Sequence, residues 1–256
     1  MADDKSNTGP DHAEGDIPCL IKLSKICFSY PGSGTTVLDN LDLEIRKGDR
    51  IGMMAPNGSG KTTLFHIIMG LCRPQKGVVE IFGAPMAAQK DFAGIRTRIG
   101  LLFQDSDDQL FCPSVLEDVA FGPLNLGASK QQALETAQGN LERLGIADLG
   151  QAVTHRLSGG QKRLVALASV LAMSPEVLLL DEPTAGLDAE VKEKLVSVLN
   201  NLDTSYIVIS HEFDFINAVT DRVFSMDNGR ILTDEQIHIH RHEHVHRHGN
   251  RPHSHK

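Results

Sequence analysis

Apolar and polar residues alternate along "LIKLSKICFSY" (residues 20–30) and again at Leu41, Leu43 and Ile45. A period of two predicts half-exposed antiparallel strands. "RIGMMA" (50–55) is a short apolar strand running into a glycine-rich turn, and 61–69 reads as a helix stopped by Gly70. "GVVEIFG" and "RIGLLFQ" read as two further strands. Helical patterning dominates from 114 to about 174. "EVLLLDEP" (176–183) then gives a continuous apolar run closed by two acids, the pattern of a strand buried on both faces. A helix (189–202), a strand "YIVIS" (206–210), a helix (213–219) and a hairpin around Asn228-Gly229 follow. Strands alternating with helices imply an α/β chain with a mostly parallel sheet.

Both ends differ from this middle. Residues 1–18, "MADDKSNTGPDHAEGDIP", are polar and rich in turn formers and read as disordered. The end of the chain, "HIHRHEHVHRHGNRPHSHK", holds eight of the twelve histidines. At 256 residues the chain has room for one large or two small domains with a real core. A net charge of −8 argues against a nucleic-acid partner bound through its phosphates. Cys19, Cys27, Cys72 and Cys112 are scattered, which points to neither a disulfide framework nor a thiolate metal site. No signal peptide or membrane-spanning run is evident, so the expectation is a cytosolic protein or one held at a membrane by partners.

"APNGSGKTT" (55–63) lies between a predicted strand and a predicted helix, the context a phosphate-binding loop needs. Gly58 and Gly60 let the backbone curl so that its N–H groups face an anion at the helix start. Lys61 is then placed for the β- and γ-phosphates and the Thr62 hydroxyl for Mg²⁺. Ala55 stands where such loops usually begin with glycine. Pro56 biases its predecessor toward extended backbone, which alanine accepts; a positive φ there would instead cost about 1 kcal/mol. Asp181 and Glu182 close the buried strand, where ionised groups must be paired or bound to a cation. Asp181 fits a Mg²⁺ ligand acting through a water, and Glu182 a base that polarises the attacking water. In "LSGGQKR" (157–163) Ser158 is a good N-cap, and Gly159 and Gly160 expose the N–H groups of a helix start. This is either simple capping or a second anion-binding terminus, one that a single nucleotide in one chain does not require.

"NGSGKTT", Gln104, "LSGGQ", "LLLDEPTAGLD" and "ISHE" occur in the order and spacing of the ATP-binding cassette (ABC) ATPases, and the resemblance spans roughly residues 20–232. It implies a RecA-like P-loop core, an N-terminal antiparallel β subdomain and an inserted α-helical subdomain at about 105–170, within a domain covering 19–236. It implies ATP and Mg²⁺ as ligands. Tyr30 matches the aromatic that stacks on adenine. Asn57, Gly58, Ser59, Gly60, Lys61, Thr62 and Thr63 match the phosphate loop, and Ser158, Gly159, Gly160 and Gln161 the signature that contacts the partner's nucleotide. Gln104 matches the sensor of Mg²⁺ and the attacking water, Asp188 the aspartate communicating across the dimer, and His211 the switch histidine. Glu182, His211, Gln104 and Lys61 are thus the candidate catalytic residues, with Thr62, Gln104 and Asp181 around Mg²⁺. The implied assembly is a head-to-tail homodimer, or a pair with a second ABC ATPase.

"LLFQDSDDQLF" (101–111) carries an apolar run into an amide and then an acidic loop. With the residues that follow, it resembles the ATPases of energy-coupling factor (ECF) importers, which engage integral-membrane coupling and substrate-binding subunits at the cytoplasmic face. His238, His240, His242, His244, His246 and His248 alternate, so an extended tail (237–256) would align six imidazoles on one face. Such a set suits Ni²⁺ or Co²⁺, as well as Zn²⁺ and Cu²⁺, and would release metal as pH falls through about 6.5. The combined expectation is the ATPase of a cobalt or nickel ECF importer. An ECF importer for a vitamin or another small molecule, and a soluble cassette without a membrane partner, are the alternatives.

Overall fold

The computed structural model describes residues 17–232. The expectations for residues 1–16 and for the histidine tail lie outside the described residues. In chain order the strands are β1 (Cys19–Phe28), β2 (Leu38–Arg46), β3 (Arg50–Met54), β4 (Lys76–Ile81), β5 (Ala84–Pro85), β6 (Ile99–Leu102), β7 (Val177–Asp181), β8 (Ser205–Ile209), β9 (Arg222–Asp227) and β10 (Arg230–Leu232). The α-helices are α1 (Lys61–Ile68), α2 (Val115–Asn125), α3 (Lys130–Arg143), α4 (Gly159–Leu171), α5 (Ala189–Asn200) and α6 (Phe213–Val219).

The alternating segments form an antiparallel sheet in the order β2-β1-β4-β5. Its register sets Ile21 opposite Ile45 and Ile81, and Leu23 opposite Leu43 and Val79, so one face is a continuous apolar surface. The second sheet runs β10-β9-β3-β8-β7-β6, parallel from β9 to β6, with β10 antiparallel at the edge. β7 and β8 are buried throughout. Val177, Leu179, Ile207 and Ile209 face a core shared with the antiparallel sheet and α1. Leu178, Leu180, Tyr206 and Val208 face a second core shared with α2 to α6. Alternate residues of one strand therefore serve two cores, which is why Val177 to Leu180 carries no polar position before Asp181.

The predicted helical region resolves into α2, α3 and α4, with an isolated antiparallel bridge between Ser114 and Val153. Ser114 and Ser129 cap α2 and α3 through capping boxes with Glu117 and Gln132. α4 packs on α2 and α3 and also on β6, where Gly100 lets the helix approach: a Cβ there would lie 2.3 Å from Val170 Cγ1. α4 thus joins the helical layer to the sheet.

Candidate functional site

Loops leave the carboxyl ends of the parallel strands after β3, where the chain enters α1, and after β6, β7 and β8. In open α/β sheets that end of the strands forms the ligand crevice. In the first loop Gly58 and Gly60 have φ of 81° and 102°, and a Cβ at Gly60 would lie 2.9 Å from the Val37 carbonyl oxygen. Ala55 is buried and is not among the residues with positive φ. The left-handed positions fall on glycine, and alanine occupies backbone it tolerates.

Lys61 is only 8% exposed, and its ammonium donates to the Ala55 and Pro56 carbonyls. Burial lowers its pKa, only partly opposed by Glu182 and Asp181. A buried cation held by neutral carbonyls is poised for an anionic ligand. The Thr62 hydroxyl donates to Asp181 Oδ2 at 2.9 Å. Burial raises the Asp181 carboxyl pKa against the opposing pull of Thr62 and Lys61. Thr62, Asp181 and Gln104 offer hydroxyl, carboxylate and amide oxygens, a hard donor set that fits Mg²⁺, and a cation there would supply the charge Asp181 lacks.

Glu182 follows β7 in the left-handed region, with φ 50°, although its N–H still donates to Ile209 O. Such strain in a non-glycine residue costs on the order of 1–3 kcal/mol and concentrates at functional sites. Burial raises its carboxyl pKa, with His211 opposing. Glu182 Oε1 lies 3.1 Å from His211 Nε2 and has no hydrogen-bond partner among the described residues. The same His211 nitrogen is 3.2 Å from Asn57 Oδ1, linking the loop after β8 to the phosphate loop. Tyr30 is 43% exposed; its hydroxyl is 3.0 Å from Thr63 Oγ1, and its ring meets Phe28 edge-on at 4.9 Å. Ser59 Oγ is buried without a hydrogen-bond partner among the described residues.

A cleft of about 370 Å³ is lined by Tyr30, Val37, Asn57, Gly58, Gly60, Lys61, Thr62, Thr63, Gln104, Asp181 and Glu182, with His211 outside the lining but joined to it through Asn57. Val37 is a contribution that sequence reasoning does not single out, since "GTTVLDN" carries no motif.

Ser158, Gly160, Gln161 and Asp188 line a separate cleft of about 320 Å³. Ser158 Oγ accepts the Gln161 N–H, and Gln161 Oε1 accepts the Ser158 N–H at 2.9 Å. Asp188 caps α5 through the Val191 N–H. Gly160 packs so closely that a Cβ would lie 2.7 Å from Gly186 O. The two clefts share no lining residue. A larger cavity, about 820 Å³, has Arg98, Glu176 and Ser205 in its lining and holds none of the predicted site residues. His238 to His248 lie outside the described residues. Among the described residues no cluster of three or more His, Cys, Asp or Glu side chains is arranged to hold a metal ion, and no helix is long and apolar enough to cross a membrane.

Residues 38–185 match the family model described as ABC transporter. A putative ABC transporter ATP-binding protein of Nitratidesulfovibrio vulgaris is 50% identical, over 86% of this chain and 81% of that protein. The energy-coupling factor transporter ATP-binding protein EcfA of Methanocaldococcus jannaschii is 41% identical, and the cobalt import ATP-binding protein CbiO of Rhodobacter capsulatus 42%, each over 84% of this chain and 78% of the relative. Among solved structures, cbiO1 of Clostridium perfringens, described as part of the ABC transporter complex cbiONQ, superposes with a TM-score of 0.74 at 36% identity, covering 84% of this chain and 87% of the other. The dimeric post-hydrolysis cassette MJ0796 bound to ADP and Pi gives 0.78 at 26% identity, covering 83% and 96%. With the phosphate loop, the acid-ended strand and the signature helix in place, the chain belongs to the ABC transporter family as an ABC-type ATPase of the energy-coupling-factor type.

Proposed function

We propose that this chain couples ATP binding and hydrolysis to import of a transition-metal cation, cobalt or nickel, beneath integral-membrane coupling and substrate-binding subunits. The observation that carries the mechanism is the separation of two half-sites on one chain. Head-to-tail pairing of two copies would bring each Ser158–Gly160 helix start onto the nucleotide in the other copy's Lys61 cleft. The γ-phosphate then supplies the contact that differs between closed and open states, and its loss releases the pair.

Within each site Lys61 would leave the Ala55 and Pro56 carbonyls for the β- and γ-phosphates. Tyr30, free of Thr63, would stack on the adenine. Thr62, Asp181 and Gln104 would hold Mg²⁺, which offsets phosphate charge. Glu182 would take a proton from the attacking water, with His211 moving from Asn57 toward the γ-phosphate. The metal assignment is supported by likeness to a cobalt import ATP-binding protein and by the histidine-rich tail. Phe111 and Phe121, stacked edge-to-face at 4.7 Å and exposed by 64% and 43%, support a membrane partner on the helical layer.

The test is uptake of labelled cobalt and nickel by cells carrying the whole importer, with native chain, Glu182→Gln, or a chain ending at Ile237. Uptake that Glu182→Gln abolishes, with ATP binding retained, supports the proposal. Energised uptake of a different solute, with no response to either metal, overturns the substrate assignment. Uptake that survives the truncation makes the tail an accessory.

A further inference from the structure

The acidic loop after β6 raises a structural question: why is it bolted to the signature helix? Arg163, in the second turn of α4, is 8% exposed, yet it forms no ion pair among the described residues. Its guanidinium instead donates to three backbone carbonyls: Phe103 at 3.0 Å, Gln104, and Asp181 at 3.2 Å. These are the points where β6 has ended and β7 is ending, so their carbonyls need donors that the sheet does not provide. An apolar residue would fill the space at lower desolvation cost, and a buried cation needs a reason.

Neighbouring contacts join the same two parts of the fold. Gln109 donates to Leu101 O and Ala166 O, both at longer distances of 3.3 and 3.4 Å, and accepts the Phe103 N–H. Lys162 pairs with Asp107. Segment 101–109 is therefore joined to α4 at three successive places, beside the helix end that presents Ser158. Gln104 and Asp181 line one nucleotide cleft, whereas Ser158 and Gly160 line the other half-site.

We propose that Arg163, braced by Gln109, is a positioning residue that transmits the state of a chain's own nucleotide cleft to the signature end it offers to the partner's nucleotide. The inference rests on the head-to-tail reading above. A shift of the Gln104 or Asp181 backbone on nucleotide binding moves the guanidinium, and α4, one unbroken helix capped by Ser158, carries that shift to its signature end. Without the brace, ATP still binds Lys61 and the phosphate loop, but the signature end is no longer set for the partner.

The experiment uses the full chain with turnover blocked by Glu182→Gln, alone or combined with Arg163→Met. Two quantities are read: Mg·ATP affinity at protein concentrations where the chain is monomeric, and the concentration at which Mg·ATP drives dimerisation. The expected result is unchanged ATP affinity with dimerisation weakened about tenfold, within the range of coupling energies that positioning residues carry. Equal dimerisation with and without Arg163 overturns the proposal. Equal losses in both quantities also overturn it, since they mark Arg163 as a fold element only. If Arg163→Met fails to fold, Gln109→Leu is read by the same two quantities and the same criteria. A Glu182→Gln parent that stays monomeric with ATP bound overturns the head-to-tail reading itself, an outcome separable from the others.

Discussion

Gly60 and Ala55 sit five residues apart in one loop, and their backbones make opposite demands. Gly60 has φ 102° and lies under Val37 and Leu38, so Gly60→Ala meets both a conformational cost of about 1 kcal/mol and a clash with backbone. ATP affinity should fall by at least about tenfold. Ala55→Gly relieves no strain and only loosens the unfolded chain, so it should lower stability by about 0.5–1 kcal/mol and leave ATP affinity unchanged. Titration with a fluorescent ATP analogue, beside urea unfolding, separates the two effects. Asp118 offers a second residue-scale test. It is buried, accepts the N–H groups of Phe111 and Cys112 through Oδ1, and leaves Oδ2 without a hydrogen-bond partner among the described residues. Burial, then the Asp118 charge, pushes the Cys112 thiol up to about 11. At pH 8 its thiolate fraction is about a hundredfold below that of a cysteine titrating near 9. Iodoacetamide labelling of Cys112, followed by peptide mass mapping, should therefore be slow at pH 8 and rise about tenfold per pH unit until it nears the thiol's pKa. Asp118→Asn should accelerate it. Labelling at the rate of a free cysteine contradicts this.

Element by element, the chain was readable wherever the information is local. β7 announces burial on both faces because its residues alternate between two cores. The phosphate loop and the acids that close β7 are set by spacing and by glycine. The links through Arg163 and Gln109 were not readable, because Arg163 bonds carbonyls 60, 59 and 18 residues away and a carbonyl has no residue identity. The contact of α4 with β6 is similarly hidden in one glycine. Gly100→Ala places a methyl against Val170, Leu178 and Pro175, so it should destabilise the protein by about 1–3 kcal/mol. Urea unfolding checks this, and a variant as stable as the parent would show that α4 does not press on the sheet there.

At the scale of the whole molecule, the proposed function requires surfaces beyond this chain. The chain's Lys61 and Ser158 clefts have separate linings, and the aromatic pair Phe111 and Phe121 is left exposed. Replacing Phe111 and Phe121 together by serine should leave ATP hydrolysis by the purified chain unchanged, because neither lines the nucleotide cleft. Co-purification with the membrane subunits should be lost; retention would place the partner elsewhere. The claim beneath all of this is that a bound triphosphate joins two copies of the chain. Light scattering on the Glu182→Gln protein tests it most directly. With Mg·ATP the mass should double from 27.9 kDa, and return to that value when ATP is exchanged for ADP. A mass that stays at 27.9 kDa with ATP demonstrably bound would contradict the account.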